Sequence, residues 1–268
     1  MGDVKTVTFS KRILILVGML VFCVAGLMFI APIPQDPDYH FFADTRPFLG
    51  LANFGDVTSN LGFAVVGLLG LMTIFERKGR ETFTHPKDSL PYTVFFIGVL
   101  LVSAGSAYYH ENPNNDRLLW DRLPMTVGFM SLFAAFIADR THRRTGITYL
   151  LPILIALGIL SLVYWQWTES QGQGDLRFYG LVQFYPMVAI PVMCWLFPQS
   201  RYTSGKYLAW IISWYGAAKI FEHFDAEVFE FLGNTISGHS LKHLLSAVAT
   251  FMVLRMLVQT EKKEALTR

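Results

Sequence analysis

The chain has 268 residues, of which 53% are hydrophobic, 15% aromatic and only 16% charged. A soluble domain carries about 25% charged residues, so an ordinary soluble protein is excluded and a membrane protein is expected. The formal net charge of +2 says little by itself; no nucleic-acid partner is expected.

Runs of about 20 mostly apolar residues mark membrane-spanning helices. Eight such runs occur, at residues 13–31, 57–75, 91–109, 118–138, 147–167, 178–197, 207–221 and 240–258; the fourth and seventh are interrupted by polar residues near one end. The first follows Lys5, Lys11 and Arg12, but it is long for the core of a signal peptide and runs into Pro32-Ile33-Pro34. It reads as a retained span. Between spans one and two, residues 32–56 form the longest outer connection, with Asp36, Asp38, His40, Asp44, Asn53 and Asp56. That composition suits a solvated cap, a lid or an oxygen-rich cation site. Ser59 and Asn60 fall at the start of the second span.

Span three ends Ser103-Ala104-Gly105-Ser106-Ala107-Tyr108-Tyr109-His110. Its small residues allow close helix approach in lipid, while Ser106 and His110, four apart, share one helix face. A turn-rich loop, Glu111 to Arg117, leads into span four, where Asp121 lies among apolar residues. A carboxylate at membrane depth needs a partner or a purpose. Arg122 and Arg117 are available as ion partners, and catalysis is the alternative. Spans five and six offer packing aromatics and the kink-forming Pro186 and Pro191. Span seven ends with Lys219 and Glu222 at ion-pair spacing, then His223 and Asp225; the structural reading is favoured here, with support of metal ligands by Glu222, His223 or Asp225 as the alternative. The last span opens with Ser237-Gly238, residues suited to a helix start, followed by His239 and His243. Four residues apart on a helix, two imidazoles can share a metal ion.

Basic residues fix an expected orientation. They cluster before span one (Lys5, Lys11, Arg12), between spans two and three (Arg77, Lys78, Arg80, Lys87), after span four (Arg140, Arg143, Arg144), after span six (Arg201, Lys206) and in the tail (Arg255, Lys262, Lys263, Arg268). The positive-inside rule then places both termini in the cytoplasm, and eight spans fit the alternation. The expected setting is a cell membrane, a bacterial inner membrane on this reading. His110, His239, His243, Ser106 and Asp121 all fall at the outer boundary. Three imidazoles from two helices leave a metal with an open position, as catalytic zinc sites do. A nearby carboxylate can act as base, and a serine can donate to an oxyanion. Cys23 and Cys194 lie in separate spans and read as packing residues.

The ordered set Ser106-x3-His110, Asp121 and His239-x3-His243 resembles the alkaline ceramidases. More widely, it resembles their superfamily of seven-helix membrane hydrolases, which includes adiponectin-receptor-like and haemolysin-III-like proteins. Asn53-Phe54-Gly55-Asp56-Val57-Thr58-Ser59-Asn60-Leu61 is similar to the ceramidase segment entering its first core helix. The resemblance runs from about Asn53 to Val258. It implies an all-α membrane protein: a seven-helix ceramidase-like bundle (57–258) with one added N-terminal transmembrane helix and outer segment (1–56) and a cytoplasmic tail (259–268). It implies zinc held by His110, His239 and His243, with Asp121 activating water and Ser106 steadying the oxyanion. The substrate would be a ceramide-like membrane lipid, hydrolysed at its amide.

The family's calcium site uses acidic residues ahead of the first core helix. Asn53 stands at one of those positions, and Asp36, Asp38 and Asp44 do not match the spacing, so calcium stays open. Two other readings remain: a zinc-binding membrane receptor or regulatory protein without lipid amidase activity, and a bis-histidine haem carrier, which leaves Ser106 and Asp121 unexplained.

Overall fold

The computed structural model describes residues 11–76 and 82–267. Lys5, Arg77, Lys78, Arg80 and Arg268, all part of the charge pattern above, lie outside the described residues, as do the side chains of Lys262 and Lys263. The fold is an all-α, seven-span membrane bundle, with no sheet among the described residues. Its helices are α1 (Lys11–Met28), α2 (Phe54–Ser59), α3 (Leu61–Phe75), α4 (Leu90–Glu111), α5 (Asn115–Arg140), α6 (Leu151–Ser170), α7 (Arg177–Leu196), α8 (Gly205–His223), α9 (Asp225–Phe231) and α10 (Gly238–Thr267).

Seven of the described helical segments are long and apolar enough to cross a bilayer; α1 is one of them and α8 is not. Over its 19 residues α8 carries Lys206, Lys219 and Glu222, a polar load that sets it apart from its neighbours. Polar groups of this kind in a bundle face the interior or a cavity. Lys219 and Glu222 do so, both lining the cavity inside the bundle.

Side-chain chemistry at the helix ends accounts for several boundaries. The Asn114 side chain accepts from the Arg117 backbone N–H, so α5 begins at Asn115, earlier than the apolar run suggests. Ser237 Oγ accepts from the Ser240 N–H at 2.9 Å and starts α10. At the other end α10 continues to Thr267, past the apolar stretch. The span expected at 57–75 divides into α2 and α3 at Asn60, whose amide turns back to the Asp56 carbonyl at 2.8 Å. A π-helical turn, Thr145–Leu150, precedes α6.

Helix α5 is the central element, packed against α4, α6 and α7; α10 packs on α8 and α3 and closes the ring. Helix α1 stands outside it with no buried residue and touches α7, where Tyr185 Oη donates to the Leu16 carbonyl. Its exposed apolar face suits contact with lipid. The α4–α5 contact is the most extensive in the bundle. Pro124 has no N–H to offer the Trp120 carbonyl one turn back, and Gly105 comes against that same carbonyl. A Cβ at Gly105 would sit 2.1 Å from the Trp120 oxygen. The approach brings the ends of the two helices that carry Ser106 and Asp121 together.

Candidate metal centre

The segment before α2, residues 32–53, expected to be outer and called the outer segment hereafter, meets the end of α4, the start of α5 and the start of α10 at one end of the bundle. His110 is one residue from the end of α4, and His239 and His243 occupy the first two turns of α10. One ring nitrogen from each lies within 4.8 Å of the others, and His110 Nε2 is 3.3 Å from His239 Nε2. All three imidazoles are buried. This is the one group of three or more His, Cys, Asp or Glu side chains close enough to hold a metal among the described residues.

The surrounding groups set the ring orientations. The Ser59 hydroxyl donates its single hydrogen to the Asp56 carbonyl at 3.0 Å. Its 2.8 Å contact with His243 Nδ1 therefore has the hydroxyl accepting, and the ring proton belongs on Nδ1. That tautomer leaves the lone pair of His243 Nε2 free, and Nε2 is buried without a protein partner. An orphaned acceptor beside two further imidazoles fits a metal ion: each ring offers a neutral lone pair, and three ligands leave an open position.

Other groups hold the helix ends. Asn53 donates to the His110 carbonyl at 2.7 Å. Asp225 accepts from the His239 N–H at 2.7 Å and from the Ala43 N–H at 2.9 Å, tying α10 to the outer segment. Gly238 makes room for this junction, since a Cβ there would lie 2.2 Å from the Phe221 carbonyl oxygen. Phe42, from the outer segment, packs its ring 4.6 Å from that of His110 and 4.5 Å from that of His239.

Ser106, Asp121 and His243 line one cavity of about 430 Å³. Ser106 and Asp121 are both buried, and the Ser106 hydroxyl faces the Asp121 carboxylate. The arginines that might have neutralised Asp121 make other bonds. Arg117 pairs with Glu111, while Arg122 donates to Gln35 Oε1 at 2.7 Å and stacks on Tyr39, Trp165 and Tyr179. The Lys219–Glu222 pair expected from spacing is present, and Lys242 adds a second bond to Glu222 at 3.1 Å.

Three acidic residues of the 32–56 stretch, Asp36, Asp44 and Asp56, have partners for their side chains. Asp36 accepts from the Asp38 N–H, and Asp44 forms a salt bridge with Arg46 whose guanidinium holds the carboxyl below its usual range. Asp56 accepts from Ser237 and Ser240 at 2.9 and 2.7 Å. Sequence spacing predicted the histidine cluster. It did not mark Ser59, Asn53, Phe42 or Lys242 as part of the same centre, because each is distant in the chain from what it touches.

No curated protein matches the chain. The family model described as Ceramidase matches residues 50–267, well over half of it and inclusive of every histidine in the cluster. With a buried three-histidine cluster able to hold a metal ion inside an all-α membrane bundle, the chain belongs to the ceramidase family.

Proposed function

We propose that the protein is a zinc-dependent membrane hydrolase that cleaves the amide of ceramide-like lipids. The observation that carries this reading is the position of the histidine cluster at the polar end of an otherwise apolar cavity. Asp121, Ser106, Arg122, Lys219, Glu222 and Lys242 line the end nearest the outer segment. Toward the opposite end the lining becomes Val99, Leu132, Ile190, Leu208 and Val253. A lipid would fit with its head among the polar groups and an acyl chain along the apolar wall.

Zinc on three imidazoles supplies a Lewis acid that activates water and polarises a carbonyl near neutral pH. The Asp121 carboxylate is the base that removes a proton from the attacking water and returns it to the leaving amine. Ser106 Oγ donates a hydrogen bond to the oxyanion on the former carbonyl oxygen. One water is consumed, and a fatty acid and a free amine are released.

Entry between helices fits a substrate that never leaves the bilayer. Helices α7 and α8 pack only lightly on each other, yet both line the cavity. Phe184, a wall residue on α7, is about half exposed, 49%. The segment above the histidines meanwhile covers the route from water. On this reading α8 also crosses, giving eight spans, both termini are cytoplasmic, and the site opens toward the extracytoplasmic side.

The test is metal analysis of purified protein followed by hydrolysis of a ceramide, with and without chelator. About one zinc per chain and chelator-sensitive release of fatty acid are expected. Stoichiometric zinc without any lipid amide hydrolysis would favour the receptor or regulatory alternative.

A further inference from the structure

The cavity's charges do not balance. Among the described lining residues Lys219, Lys242 and Arg122 are cationic, and Asp121 and Glu222 are anionic. Glu222 bridges two ammonium groups: Lys219 Nζ donates to one carboxylate oxygen, and Lys242 Nζ donates to the other at 3.1 Å. One carboxylate therefore hydrogen-bonds two ammonium groups; Asp121 is a second anion near Lys242, and the described lining still carries one cation in excess. The Lys242 and Glu222 side chains are largely withdrawn from solvent, 15% and 16% exposed, where screening is weak. Arg122 places one amino group on Gln35, a neutral partner, while its Nη1 is buried with no hydrogen-bond acceptor. Aromatic faces stabilise the guanidinium charge but accept no such bond from Nη1. A buried cation short of acceptors is costly, and a ligand that supplies the missing negative oxygen recovers that cost.

These groups also have a consistent position. Lys242 immediately precedes His243 on α10, Arg122 follows Asp121 on α5, and Lys219 and Glu222 close α8. All four line the same cavity as Ser106 and Asp121. A ceramide presents only hydroxyl groups and an amide here, with no charge to answer the lysines.

We propose that this end of the cavity is an anion subsite, and that the lipid it takes carries an acidic group, carboxylate or phosphate, beside its amide. The inference rests on the amide-hydrolase reading and narrows its substrate class. Lys242 is a specificity-determining residue that would bind the acidic group, with Arg122 Nη1 as the second donor.

The experiment uses the full chain in zwitterionic nanodiscs with three probes of equal acyl length: N-palmitoylserine, C16 ceramide 1-phosphate and C16 ceramide. Binding is measured on chelator-treated protein and hydrolysis on zinc-loaded protein. At least one acidic probe should bind about tenfold or more tightly than ceramide, the scale of a hydrogen bond to a charged group. The acidic probe that wins distinguishes a carboxylate site from a phosphate site. Lys242→Met should bring the preference close to one, and Lys242→Arg should keep most of it. Arg122→Gln, which leaves the Lys–Glu pairing in place, should reduce it independently and serves if Lys242→Met does not fold.

Equal binding of acidic and neutral probes overturns the proposal, as does a preference that survives both substitutions. Palmitate binding more tightly than either acidic amide also overturns it, because the cations would then be holding a product carboxylate. If ceramide is hydrolysed and no preference exists, the subsite fails while the amidase stands. If the preference exists and no probe is hydrolysed, the amidase fails while the subsite stands.

Discussion

Ser59→Ala tests whether the metal centre depends on a defined histidine tautomer. The Ser59 hydroxyl accepts from His243 Nδ1 at 2.8 Å and donates to the Asp56 carbonyl at 3.0 Å. Removing it takes away the side-chain acceptor of the Nδ1 proton, leaving only the Asp56 carbonyl beside the ring, and frees the imidazole to rotate or to move its proton to Nε2, where it would block ligation. Loss of a hydrogen-bond partner behind a ligating histidine lowers metal affinity by about 10–100-fold. That is roughly 1.4–2.8 kcal/mol. The fold should suffer little, because the lost bond to Asp56 is local to one helical turn. Thr58→Ala provides the control: Thr58 Oγ1 makes a comparable bond to the Phe54 carbonyl at 2.7 Å and makes none to the histidines. Zinc affinity would be measured on purified protein by competition with a fluorescent chelator. Ser59→Ala should fall in the predicted range, and Thr58→Ala should stay within about twofold of the parent. Wild-type affinity in Ser59→Ala, or an equal loss in both variants, would refute the tautomer argument.

His110→Ala should lose bound zinc, since two imidazoles from α10 alone fall below the three ligands of a catalytic site; full occupancy by metal analysis would take α4 out of the centre. Asp121→Asn should retain zinc and thermal stability while turnover drops by roughly 10²–10⁴-fold. Undiminished hydrolysis in that folded variant rejects Asp121 as the base, and failure to fold assigns it a structural role. Orientation is checked with single cysteines at Gln171 and His142, both exposed and at opposite ends of the α6 segment. An impermeant thiol reagent should label the first in intact cells and the second only after the membrane is opened; the reverse pattern would place the site on the cytoplasmic side.

What the sequence exposes of this architecture depends on distance along the chain. His239 and His243 are four apart on one helix, so helical geometry alone brings their rings to one face. His110 joins them because its helix ends at the same depth, which hydropathy already indicates. The Lys219–Glu222 pair is likewise local. Lys242 is 20 residues from Glu222, and its bond arises only from the packing of α10 on α8. Ser59 lies 184 residues from His243, so nothing in its local context distinguishes its role from ordinary helix-end chemistry. Helix boundaries were shifted for a related reason. Apolar runs locate the stretch that faces lipid or core, whereas capping side chains such as Asn114 and Ser237 determine where the helical hydrogen bonds begin.

The family match starts at residue 50, yet the metal centre draws on residues before it. Phe42 covers two of the three histidine rings, and the Ala43 N–H shares Asp225 with the start of α10. His40 bonds Tyr109 and Asn115 across the α4–α5 turn at 2.9 and 3.0 Å. Gln35 receives the Arg122 guanidinium, and its own N–H is held by Glu169 at the end of α6. The same Glu169 oxygen accepts from Trp165 Nε1, one of the aromatic groups around Arg122. The outer segment is therefore bonded to α4, α5, α6 and the approach to α10, the helices that carry or support the polar end of the cavity. These contacts withdraw the histidines from water at that end of the bundle, while α7 and α8 pack only lightly on each other. Water exclusion strengthens the interactions of Asp121 and the lysines with any charged group beside them. On the proposed function the reactive lipid head would then arrive through the helices, so substrate selection and closure of the site would depend on the same segment.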